Sequence, residues 1–330
     1  MTDPAPDRPP RPGASTFTIE GRAAPGLFVL GWLATLVGLG ITFVAFMSGA
    51  GQPRQVLLIG GIVVLSIGLV VGAGGQAIER RARGTLPYTG PSPFLLFVAA
   101  IPVAFLGVAL VGFGFDAVGI STESPVARLA SVVVQAVVYV GLIRLLVVDT
   151  GALSWADMGI RRPDVRAFRE LGAGAVWAGA AILATIPVAL ILSMVLPVLP
   201  SSPLPPTGEA SGIVVNLLAG AVVAPIGEEV MFRGLATTAW VRGMGERRGL
   251  IRAALFFAFA HVLTISGTSA GPAIALAFAA LVGRIPVSLI LTWLFVRHKS
   301  IWVPLGLHAA FNATLLVLAE VVAPLAPAPV

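Results

Sequence analysis

The side chains able to do chemistry are few and fall late in the chain. They are the adjacent glutamates Glu228 and Glu229, Arg233 four residues on, His261, and the pair His308 and Asn312, again four apart. A carboxylate beside an imidazole can hold a water and take its proton. A second imidazole and a side-chain amide can donate hydrogen bonds to the oxyanion that forms when that water adds to a peptide carbonyl. On this reading Glu228 is the general base and His261 assists it, while His308 and Asn312 are the oxyanion donors. Glu229 and Arg233 have the spacing of an ion pair along one helix face and form a supporting pair. Glu228 lies ~100° round the helix from Glu229 and is directed elsewhere. The reaction this set fits is endopeptidase hydrolysis of a peptide bond.

The elements that must hold these groups are apolar helices. Of the 330 residues 57% are apolar and only 11% charged, and the mean hydropathy is +0.97. A soluble domain carries roughly 25% charged residues, so this chain cannot cover a globule with a charged surface. Apolar segments fall at about 25–48, 56–76, 94–114, 129–148, 172–199, 212–242, 249–266, 271–296 and 300–322, on the scale of the ~20 residues that cross a bilayer as a helix. The expected fold is all-α, a polytopic transmembrane bundle of eight or nine spans, with nine preferred. Placing the N-terminus in the cytoplasm puts Arg8, Arg11, Arg22, Arg80, Arg81, Arg83, Arg161, Arg162, Arg166, Arg169, Arg242, Arg247, Arg248, Arg252, Arg297 and Lys299 inside and leaves Arg54 and Arg128 outside. That is a strong positive-inside bias.

The expected division is a disordered polar tail (1–23), N-terminal transmembrane helices (24–148), a cytoplasmic interfacial segment (149–171), a catalytic helical core (172–322) and a short tail (323–330). In the core, AVVAPIGEEVMFRGLATTAW carries both glutamates, LFFAFAHVL carries His261, and WVPLGLHAAFNATLL carries His308 and Asn312. Pro225 and Gly227, and again Pro304 and Gly306, precede the polar residues. Such breaks are tolerated at bilayer depth only against protein or a water-filled cavity. Counted from each span's cytoplasmic end at 1.5 Å per residue, Glu228 and Arg284 lie ~20 Å in, His261 and Asn312 ~18 Å and His308 ~12 Å. One slab holds them all.

Several other functions are excluded or disfavoured. The absence of cysteine removes disulfides, thiol catalysis and Cys-ligated metals. The net charge of +6 sits in short loops and sets orientation, with no basic–aromatic stripe for nucleic acid. A zinc ion on Glu228, His261 and His308 is the alternative chemistry, although no His-Glu-X-X-His motif is present; otherwise no cofactor is required. Gly267-Thr-Ser269-Ala-Gly271 fits the Gly-X-Ser-X-Gly pattern but lies in a short turn without strand context. A membrane carrier would show paired repeats with matching broken helices, and the N-terminal half has no counterpart to the polar cluster. An idle immunity scaffold could keep the fold while losing the base, yet every polar position is intact. The expected partners are the lipid bilayer and a membrane-associated protein or peptide substrate. The abundance of Ala, Gly, Pro and Arg points to a bacterial cytoplasmic membrane.

At these residues the sequence resembles a known family. Glu228-Glu229-Val-Met-Phe-Arg233 matches EExxxR, Phe257-Ala-Phe-Ala-His261 matches FxxxH, and His308-Ala-Ala-Phe-Asn312 matches HxxxN. Those motifs, in that order, characterise the CAAX protease and bacteriocin-processing family, which includes the type II CAAX prenyl endopeptidases. The resemblance covers roughly 150–322. It implies a membrane-embedded, glutamate-dependent endopeptidase whose cavity opens toward the cytoplasm. Members are often labelled metalloproteases, although the glutamates and asparagine are thought to act on water without a metal. Prenyl specificity is not carried over, because prenylated CAAX proteins are largely eukaryotic and this sequence looks bacterial.

Overall fold

The computed structural model describes residue 19 and residues 21–196, 204–264 and 270–322. Most of the expected N-terminal tail, the 323–330 tail and Gly267, Thr268 and Ser269 of the Gly-X-Ser-X-Gly match lie outside the described residues. Among the described residues all regular structure is helical. The helices are α1 (Pro25–Met47), α2 (Gln52–Ala82), α3 (Pro93–Ala117), α4 (Pro125–Val148), α5 (Val165–Val195), α6 (Ala210–Met244), α7 (Glu246–Ala260), α8 (Ala270–His298) and α9 (Trp302–Val322). Proline in the first turn starts α1 to α4, where its missing N–H costs no hydrogen bond. Ser124 and Asp164 cap α4 and α5 by accepting the amides of Ala127 and Ala167.

Eight of these helices are long and apolar enough to cross a membrane, and the chain is an integral membrane protein. The segment expected as a ninth span at 249–266 is instead the 15-residue α7. It opens at Gly245, which turns the chain with φ 84°, and it ends in a 3₁₀ turn, His261–Thr264. Arg247, Arg248 and Arg252 shorten its apolar length. The α-helical part spans ~22 Å, so the polar residue at its end sits well inside the bundle.

α1 packs on α2 through small residues seven apart, Gly31, Gly38 and Ala45 against Gly61, Gly68 and Gly75. The core proper is built from α3 to α9. Phe97, Phe232, Phe256, Phe257 and Trp240 pack edge to face or tilted between α3, α6 and α7, with ring centroids 5.1–5.5 Å apart. α5 and α9 come closest where glycine faces backbone. A Cβ on Gly306 would fall on the Leu171 carbonyl, and one on Gly174 on the Val303 carbonyl. Small residues at membrane helix contacts permit this approach. Gly306→Ala is therefore expected to push α9 off α5 at a cost of about 1–3 kcal/mol, read as a lower thermal unfolding midpoint in detergent. An unchanged midpoint would mean the two helices are not held at that distance.

Residues 149–164 fold over one end of the bundle, with Leu153 and Met158 buried beneath them. Ile301 donates to the Gly159 carbonyl at 3.1 Å, and Arg242 pairs with Asp157. The Ser154 amide and hydroxyl, with Arg242, hold the Asp157 carboxyl down to about 2. A depressed carboxylate adds stability above its unfolded value and loses it only as pH falls through the folded one, so this cap stays fastened down to strong acid. Val165 and Phe168 form the exposed first turn of α5.

Candidate active site

The site is built around an irregular α6. Its winding widens to π geometry at Leu218–Val223, returns to α at Ala224–Glu228, and widens again over Glu229–Thr237. Pro225 starts the α stretch; it supplies no N–H and crowds the carbonyl four residues back. In the second wide stretch the Thr237 hydroxyl donates to the Phe232 carbonyl, five residues back, at 2.8 Å. π segments inside α-helices recur at functional sites. Here the change of winding falls between the two glutamates and sends them to different surroundings. The Glu229 side chain is fully buried, whereas that of Glu228 keeps 20% exposure.

Glu229 faces Arg233 and His308. Its Oε1 lies 3.0 Å from Arg233 Nη1 and accepts from His308 Nδ1 at 2.7 Å. Arg233 is also fully buried, and its three nitrogens have no hydrogen-bond partner among the described residues. The 3.0 Å contact thus lies off the hydrogen-bond line and is charge pairing. The guanidinium also stacks on Phe257, its carbon 4.0 Å from the ring centroid. Phe257 touches His261 and His308 as well, with centroids 4.6 and 5.7 Å away. It is the packing centre of the site.

Glu228 faces the two imidazoles. Its Oε2 is 3.8 Å from His261 Nε2 and 3.7 Å from His308 Nε2. The other ring nitrogens fix the tautomers. His261 Nδ1 lies 2.8 Å from the Phe257 carbonyl, which can only accept, so Nδ1 carries the proton. His308 Nδ1 likewise donates to the guanidinium-paired carboxylate of Glu229. In the neutral rings both Nε2 atoms then present lone pairs, as does the carboxylate oxygen between them. Three acceptors converge at distances too long for direct hydrogen bonds, and a donor with two protons can satisfy two of them. Zinc fits this spacing less well: tetrahedral ligands at ~2.0–2.2 Å stand ~3.3–3.6 Å apart. Among the described residues no group of three His, Asp or Glu side chains is placed to hold a metal ion.

Five of the six residues singled out from the sequence, Glu228, Glu229, Arg233, His261 and His308, are thus joined in one cluster. Asn312 is tied elsewhere, its amide donating to the Gly220 carbonyl in the first wide stretch of α6 at 2.8 Å. His308 presents Nε2 to Glu228, so in the neutral ring it accepts, where an oxyanion donor was expected. Phe257 entered the sequence reading only as a motif letter; its place one turn before His261 was the available signal for its contacts.

Fold and cluster together define an integral membrane protein with a carboxylate–imidazole centre held by broken helices. Residues 210–314 match the family model described as type II CAAX prenyl endopeptidase Rce1-like, and over that segment the chain is similar to the CAAX protease family. The match spans α6 to the middle of α9 and is narrower than the 150–322 on which the resemblance was read. No curated protein and no solved structure matches the chain.

Proposed function

We propose that the chain is an intramembrane endopeptidase in which Glu228 activates the water that hydrolyses a peptide bond of a membrane-associated protein or peptide. The observation that supports this best is the convergence of Glu228 Oε2 with His261 Nε2 and His308 Nε2 at 3.8 and 3.7 Å. A water at this centre donates one proton to Glu228 Oε2 and the other to an imidazole Nε2, and turns a lone pair outward. Glu228 takes the proton as the water oxygen bonds to the peptide carbon, then delivers it to the leaving amine as the C–N bond breaks. His261 and His308 hold the water in place. The Phe257 carbonyl fixes the first ring and the Glu229–Arg233 pair fixes the second. The arginine-rich loops of the sequence support a site that opens toward the cytoplasm, in a bacterial cytoplasmic membrane.

Chelators are expected to leave cleavage by purified protein unchanged. Loss of cleavage with chelator, restored by zinc, would replace the base role of Glu228 with that of a ligand. The proposal as a whole is tested by comparing the membrane proteomes of cells carrying the wild-type chain and Glu228→Ala. Uncleaved precursors accumulate in the variant on this reading; identical proteomes, together with solute flux in proteoliposomes, would favour a carrier instead.

A further inference from the structure

The segment 204–209, which leads into α6, is fastened at three points, and the mechanism above gives it no role. It lies at the end of the bundle opposite residues 149–164, because α5 and α9 both start at that cap and run away from it. Glu320, near the end of α9, accepts the Thr207 amide at 2.9 Å, the Gly208 amide, and the Thr207 hydroxyl at 3.1 Å. Asn216, buried in α6, donates its side-chain amide to the Pro205 carbonyl at 3.0 Å. The third fastening is apolar. Leu204 packs onto Gly220, where an added Cβ would fall 2.6 Å from Leu204 Cδ1 and 3.0 Å from Leu316 Cδ1 of α9. With no side chain of its own, Gly220 is held in place by these two leucines.

Gly220 is also the residue whose carbonyl accepts from Asn312 Nδ2 at 2.8 Å. A carbonyl only accepts, so this bond fixes which end of the Asn312 amide faces α6. The nitrogen carries two hydrogens; one is committed to Gly220 and the second is left over. Asn312 stands one turn beyond His308 on the same face of α9, and His308 Nε2 on that face lies 3.7 Å from Glu228 Oε2. As the water oxygen bonds to the peptide carbon, the π pair of the C=O bond moves onto oxygen and the proton moves to Glu228. Fixed donors aimed at such developing charge are worth most in a site shielded from water. Their placement matters as much, since a misplacement of ~1 Å can cost about 10²-fold in rate.

We propose that segment 204–209, fastened by Glu320 and Asn216, positions Asn312: it holds the Gly220 carbonyl that turns the amide, whose second hydrogen then meets the oxyanion. The role rests on the endopeptidase reading of Glu228. The test counts new peptide termini over time in membranes holding each full-length variant at matched abundance. Asn312→Ala is expected to cleave about 10²–10³-fold more slowly than wild type, and Glu320→Ala about 10–10²-fold more slowly. Glu320→Gln still accepts through its amide oxygen and keeps most of the rate. Asn216→Leu loosens the same segment from its other side and also slows cleavage, so the outcome does not depend on one variant folding. The decisive protein carries both Asn312→Ala and Glu320→Ala. It should cleave no more slowly than Asn312→Ala alone, whereas a merely structural role for Glu320 would multiply the two losses. Multiplied losses, or wild-type or faster cleavage by Glu320→Ala, would overturn the assignment and leave the endopeptidase reading standing. Equal cleavage by Glu228→Ala would remove that reading, and this assignment with it.

Discussion

Glu228→Gln is expected to slow peptide cleavage by about 10²–10⁴-fold, the range a positioned general base contributes, while the protein stays folded. The amide has the shape of the carboxylate but cannot take a proton from water. Stability is expected to hold for a separate reason. Oε2 of Glu228 is buried without a hydrogen-bond partner among the described residues, beside two imidazole lone pairs, and an uncompensated acceptor is costly. An amide N–H₂ turned toward those rings relieves that conflict, so the unfolding midpoint should stay level or rise. Cleavage and thermal unfolding measured on one purified sample check both parts. Near-wild-type cleavage by a folded Glu228→Gln protein would move the base role to another residue.

The second large effect falls on the buried pair. Arg233→Met leaves Glu229 fully buried with His308 as its only polar contact among the described residues, and removing one partner of a buried pair costs about 3–5 kcal/mol. The loss should appear as a lower unfolding midpoint and as slower cleavage, because the Glu229 carboxylate that anchors the His308 ring is left without its counter-charge. The double variant Glu229→Gln, Arg233→Met should recover much of the midpoint, since no unpaired charge then remains in the core. A double-mutant cycle separates the pairing from the packing of each side chain. Single variants as stable as wild type would mean that the pair is solvated and does not organise the site.

The sequence made the class and the cluster readable for definite reasons. Long apolar runs can only be membrane helices, and Pro225 with Gly227 marks a break in α6 before the glutamates. Winding was not readable. A hydropathy pattern carries the buried face but not whether a turn closes four or five residues back, so the π stretches on either side of Ala224–Glu228 had no sequence signal. The extent of α7 was overread because the apolar run 249–266 continues past the point at which the helix tightens to a 3₁₀ turn at His261. The spacing of His308 and Asn312 put both on one face, yet only contacts between helices decide partners. His308 turned to Glu229 and Glu228, and Asn312 to a backbone carbonyl on α6.

Glutamate-dependent hydrolysis inside the membrane is tested most directly by following cleavage in water enriched in heavy oxygen. Membranes holding the wild-type chain should produce new C-terminal carboxylates that carry one heavy oxygen atom, and membranes with equal amounts of folded Glu228→Gln should produce almost none. Labelled termini appearing at the same rate from both proteins would contradict the role given to Glu228.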